Sequence, residues 1–115
     1  RNDVTVPDGP VEWWAELRHR LALRGFSWSD ATTPRQAAEV VRDFYRAQVR
    51  ERGHDAVPLE SQHALDDLVG AVEGDLYAPA PQHQSTEQLR GWVDAIERPW
   101  AEAAEHAQLA DAGRR

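Results

Sequence analysis

The chain has 115 residues, 41% of them apolar, with 13 basic and 20 acidic side chains and a net charge of −7. That length suits one domain able to bury roughly 65% of its unfolded surface. Its acidity repels phosphate backbones and so excludes generic nucleic-acid binding. With no cysteine there is no disulfide frame, no thiolate metal site and no thiol nucleophile.

No apolar run approaches the ~18 residues of a membrane span, and no signal-peptide pattern opens the chain. It begins at Arg1 rather than Met, which we read as a segment of a longer protein. All 13 basic residues are arginine beside abundant alanine, a pattern we assign to the coding bias of a GC-rich genome. The charge is uneven. Residues 1–54 carry nine arginines and eight acids, net +1, and residues 55–115 carry four arginines and twelve acids, net −8.

Four apolar patterns recur at helical spacing and none alternates as a strand would. After a tail over 1–8 expected to fray, Asp8-Gly9-Pro10 opens the first, Trp14, Leu17 and Leu21, and Gly25 closes it as a C′ residue. Phe26 to Asp30 carries two aromatics and is expected to fold back onto the core.

Thr33 then supplies an N-cap, Pro34 the first helical position and Gln36 the second half of a capping box. The helix they open has Ala37, Val40, Val41 and Phe44 on one side and ends near Gly53. The third pattern, Leu65, Leu68, Val69, Val72 and Leu76, stops before Pro79 and Pro81, and Pro79 to Gln84 reads as a polar, extended linker. Ser85 and Gln88 repeat the capping device before Leu89, Trp92, Val93, Ile96, Trp100, Ala103, Ala104 and Ala107. Pro99 falls inside that last register and leaves the Ala95 carbonyl without its usual partner. The expectation is an all-α, compact bundle of four main helices over residues 9–109, the last kinked or broken at Pro99, with a second frayed tail over 110–115.

Catalytic chemistry finds little purchase. A di-metal carboxylate bundle needs inward-facing Glu-x-x-His motifs, and Glu16/His19, Glu51/His54 and Glu60/His63 match the spacing. With Leu65 set at zero on a helical wheel, His63 falls near ~160° and Glu60 near ~220°, on the water side. Glu16 and His19 likewise face away from Trp14, Leu17 and Leu21, and Gly53 separates Glu51 from His54. The pairs His63/Asp67 and Glu102/His106, each one turn apart, read as solvated surface pairs rather than ligands. No serine stands at a nucleophile elbow and no glycine-rich phosphate loop occurs, so no catalytic, cofactor or metal residue is assigned.

Arg42, Arg46 and Arg50 repeat every four residues. They form either a basic ridge for lipid headgroups, an acidic partner or the domain's own acidic half, or a solvated face with Glu39–Arg42 and Asp43–Arg46 pairs. Trp14, Trp92 and Trp100 read as core, whereas Trp13 and Trp28, if exposed, would mark a contact surface.

The stretches VEWWAELRHRLALRGFSW, TPRQAAEVV and ALDDLVGAVEGDLYAP together resemble the C-terminal helical module, a domain of unknown function, of bacterial transglutaminase-like membrane proteins, especially actinobacterial ones. The matching positions are Trp14, Leu17, Gly25, Thr33, Pro34, Arg35, Ala64, Leu68, Val72, Glu73, Tyr77 and Ala78, within residues 10–80. One departure is Leu76, where the module often carries Arg.

The resemblance implies a non-catalytic cytoplasmic accessory or protein-interaction domain. It would be tethered to the inner membrane face by a preceding helix, with any transglutaminase core lying elsewhere in the parent. It points to Arg35, Glu73 and Tyr77 as a partner site. The structural alternative has Arg35 bridging to Glu73 while Tyr77 closes the third helix. Readings of a different class are a stand-alone metal-binding bundle enzyme and a lipid-surface module using the arginine ridge. The protein partner and the oligomeric state are left open by the sequence.

Overall fold

Local chemistry sets where each helix starts and stops. The computed structural model describes residues 9–77 and 84–112, and among them are four α-helices and no strand: α1 (Pro10–Leu23), α2 (Pro34–Arg52), α3 (Leu59–Tyr77) and α4 (Thr86–Ala112). A 3-10 turn, His54–Ala56, joins α2 to α3. The tails 1–8 and 113–115 and the linker residues 78–83 lie outside the described residues, and α4 stays helical to Ala112, beyond the boundary expected at 109.

The caps follow the sequence. The Thr33 hydroxyl accepts from the Gln36 amide at 3.2 Å, and the Gln36 side-chain oxygen accepts from the Thr33 amide at 3.0 Å. Pro34 occupies the first turn, so Thr-Pro-Arg begins α2. Ser85 caps α4 through the Gln88 amide. At the end of α1, the Phe26 amide donates to the Leu21 carbonyl and the Gly25 amide to Ala22, with Gly25 at φ +82°. This is a Schellman closure, and it turns Phe26 inward.

Pro99 does not break α4. The helix runs unbroken through it, and its ring is fully buried.

The core is drawn from all four helices: Leu17 and Leu21 of α1, Val41 of α2, Leu65 and Leu68 of α3, Leu89 and Ile96 of α4, all fully buried. Each such side chain contributes about 1.5–3 kcal/mol, against about 0–1 kcal/mol for a surface ion pair. Apolar packing therefore holds the bundle, and charge adjusts it.

Several faces sit one position away from expectation. In α1 the buried line is Trp13, Leu17, Leu21, with Trp13 3% exposed, so Trp13 is core and not a contact surface. Trp14 is half-buried and packs on Trp28 at 5.6 Å between ring centroids. In α2 the buried line is Ala38, Val41, Tyr45 and Gln48, while Val40 is exposed. In α3 the line adds Ser61 and Ala64 and ends at Val72, leaving Leu76 outside. In α4 burial stops at Trp100, and residues 104–109 are exposed on every side of the helix. The turn at Ala56 and Val57, unforeseen in the sequence, closes the base of the core.

Phe26 folds back as expected, edge-on to Phe44 and Trp100, and Phe44 stacks flat on Trp100 with centroids 4.1 Å apart.

Candidate functional site

Arg35, Glu73 and Tyr77 were singled out by motif, and Arg42, Arg46 and Arg50 by periodicity. The fold sets five of these six along one furrow between α2 and α3. A bridge from Arg42 to Asp66, 2.6 Å long, spans the furrow and divides it into two hollows.

The first hollow, of about 440 Å³, has Ala38, Val69 and Gly70 along its floor and the Arg35–Glu73 pair at its edge. Arg35 Nε donates to Glu73 at 2.7 Å. That hydrogen bond, with the attraction behind it, raises the arginine above its ordinary pKa. The alternative in which Arg35 bridges to Glu73 is what the structure shows, and Tyr77 stands exposed as the last residue of α3.

The second hollow, of about 400 Å³, has partly exposed Val49 on its floor, with Tyr45 and Leu65 buried just beneath. Arg46 and Arg50 stand along one wall, Gln62 and Asp66 along the other. The arginines differ in how far their charge is spent. Arg42 is held between Glu39 of its own helix and Asp66 across the furrow. Its pKa is raised by the Asp66 hydrogen bond, against partial burial. Arg46 pairs with Asp43 one turn back at the exposed surface. Arg50 has no ion partner among the described residues. The furrow is thus neutralised at its Arg35 end and carries uncancelled positive charge at its Arg50 end.

The charge asymmetry of the sequence is used inside the molecule. Arg20 of α1 reaches Glu16, Asp94 and Glu97, and Arg24 also reaches Glu97. Burial works against the Arg20 charge, yet the bonds to Glu16 and Asp94 prevail and raise its pKa. With Arg35–Glu73 and Arg42–Asp66, the pairs to Asp94 and Glu97 tie the basic first half to the acidic second half. Arg98–Glu60 joins α4 to α3 within that second half. Arg42 therefore meets the domain's own acids, and Arg46 and Arg50 remain as the exposed part of the ridge.

The Glu-x-x-His motifs do not converge. Glu16 binds Arg20 and Glu60 binds Arg98, while His19, His54 and His63 are exposed. Glu60, His63 and Asp67 line one hollow on the α3–α4 face, but no three metal-capable side chains gather among the described residues. Glu102 and His106 lie on the projecting end of α4. Trp28 is half-buried against Trp14 and the core.

Sequence reasoning missed the floor of the furrow. Tyr45 and Val49 are four apart and share a face, but only the pairing of α2 with α3 brings Leu65 and Gln62 opposite them. Trp13 was missed as core because its neighbour Trp14 fits the same stripe. Its ring is half of a cation–π contact, with the Arg90 guanidinium 5.8 Å from the centroid. No helix among the described residues is long and apolar enough to cross a membrane. Compared with protein-family models, with curated proteins and with solved structures, the chain matches none.

Proposed function

We propose that this chain is a non-catalytic protein-interaction domain whose contact surface is the α2–α3 furrow. The observation that carries the reading is the second hollow, where partly exposed Val49 lies over buried Tyr45 and Leu65 beside the exposed Arg46 and Arg50. An apolar groove edged by incompletely cancelled charge suits an amphipathic helix of opposite sign, which lays leucine-like side chains on the floor and carboxylates against the rim. A panel of helical peptides tests it. Those with two glutamates and a leucine at i, i+3 and i+7 should bind wild-type protein. Lysine versions should not, and Arg46→Glu with Arg50→Glu should abolish binding. Equal binding of both peptide charges, or none of either, would refute the reading.

The motif resemblance supports a parent context for the same domain: the cytoplasmic face of the membrane, as an appendage of a transglutaminase-like membrane protein. In that context any acyl-transfer chemistry belongs to another part of the parent. The residues ahead of Arg1 in the full-length protein test this placement. About 20 apolar residues followed by an arginine-rich stretch are expected there, and a polar sequence without such a stretch would contradict it.

A further inference from the structure

The projecting end of α4 has its own chemistry. Residues 104–109 are exposed on all sides, and Leu109 keeps 73% of its surface open. Glu102, Glu105 and Leu109 fall at i, i+3 and i+7, within about 60° of one another around the helix. Neither glutamate has an ion partner among the described residues. The stripe is an acidic one ending in an apolar residue, half-buried at Glu102 and exposed from Glu105 to Leu109 among the described residues.

The same molecule therefore carries a groove and a helix of complementary character. The groove offers exposed Arg46 and Arg50 beside partly exposed Val49, and the helix offers half-buried Glu102 and exposed Glu105 ahead of Leu109. In α2 the two arginines are four residues apart, about 6 Å of axial rise, and in α4 the two glutamates are three apart, about 4.5 Å, so arginine side chains can meet both carboxylates.

We infer that the chain self-associates, the acidic end of α4 from one copy lying in the α2–α3 furrow of a second. This deepens the proposed function and rests on it, naming the occupant of that groove as another copy of the chain. Exchange in both directions gives a closed two-fold pair in which each copy supplies one helix and one groove. Two small helix-in-groove contacts belong to the weak, reversible class of interface. Their salt dependence should be steep, since the charges that drive them lie at the surface.

Sedimentation of the full chain across micromolar to submillimolar concentrations, with charge-swapped variants, tests the inference. Wild type should pass from 13.0 kDa to twice that mass. Arg46→Glu with Arg50→Glu should raise the dissociation constant at least about tenfold, and Glu102→Arg with Glu105→Arg should do the same, tenfold being about 1.4 kcal/mol. Mixed one to one, the two variants should regain the dimer, because each groove again meets a helix of opposite sign. Circular dichroism and thermal melting of each variant separate lost contact from lost fold. A dimer unmoved by either swap, or variants that fail to recombine while folded, would overturn the inference. A wild-type chain that stays monomeric yet binds the glutamate–leucine peptide overturns this inference alone. One that does neither overturns the proposed function with it.

Discussion

Tyr45 of α2 donates its hydroxyl to the Ile96 carbonyl of α4 at 2.7 Å, three residues before Pro99. Proline withholds an N–H from the Ala95 carbonyl and crowds that turn of the helix. A second helix is thus fastened at the stretch of α4 whose own ladder is weakest, beside the Phe44–Trp100 stack.

Tyr45→Phe should cost about 1 kcal/mol in urea or thermal unfolding, the usual worth of one buried hydrogen bond. Burial pushes the Tyr45 phenol well above its ordinary value. The unfolded chain therefore gives up this proton first, so stability is intact below about pH 10 and falls as pH rises further. The phenylalanine variant should lose less stability than wild type between pH 9 and 11.5 or so. An identical alkaline decline in both would remove Tyr45 as its cause.

Two glycine substitutions should have opposite signs. Gly25 sits at φ +82°, where an alanine is strained, so Gly25→Ala should destabilise by about 1–2 kcal/mol. Gly91 lies exposed within α4 with nothing near an added Cβ. Gly91→Ala should stabilise by about 0.5–1 kcal/mol. Thermal melts of the pair would show shifts in opposite directions.

Ser61 is fully buried in α3 and its hydroxyl has no hydrogen-bond partner among the described residues. An unpaired hydroxyl in an apolar core carries its desolvation cost uncompensated. Ser61→Ala should then raise stability by about 1 kcal/mol. A loss of similar size would mean that the hydroxyl is bonded in solution.

The ion pairs should separate by burial. Arg20 is only 25% exposed and serves three carboxylates, so Arg20→Gln should cost about 1 kcal/mol, less in high salt. Arg35 is 80% exposed, and Arg35→Gln should leave the melting curve unchanged despite its short bond to Glu73. If Arg35→Gln proves the more damaging, the α2–α3 seam depends on charge and not on packing.

Much of the fold was legible because its determinants are local. Thr33, Pro34 and Gln36 cap a helix wherever they occur together, and Gly25 closes one because its backbone reaches positive φ. Faces were legible only to within a residue. Trp13 and Trp14, or Phe44 and Tyr45, flank the same periodic stripe, and only the neighbouring helix selects between them. Tyr45 and Gln48 were passed over because their polar atoms find partners, Ile96 and Arg52, that spacing alone does not assign. The arginine ridge and the Arg35–Glu73 bridge were each visible, but their union in one furrow is a tertiary fact, set by how α2 lies on α3.

The central claim, that this is a docking domain acting through the α2–α3 furrow, is met most directly by amide chemical-shift mapping as the glutamate–leucine peptide is added. The account predicts shifts concentrated at Arg42 to Arg50 and at Gln62 to Asp66, absent in the Arg46→Glu, Arg50→Glu variant. Shifts centred on Trp14 and Trp28 instead, or none at saturating peptide, would contradict it.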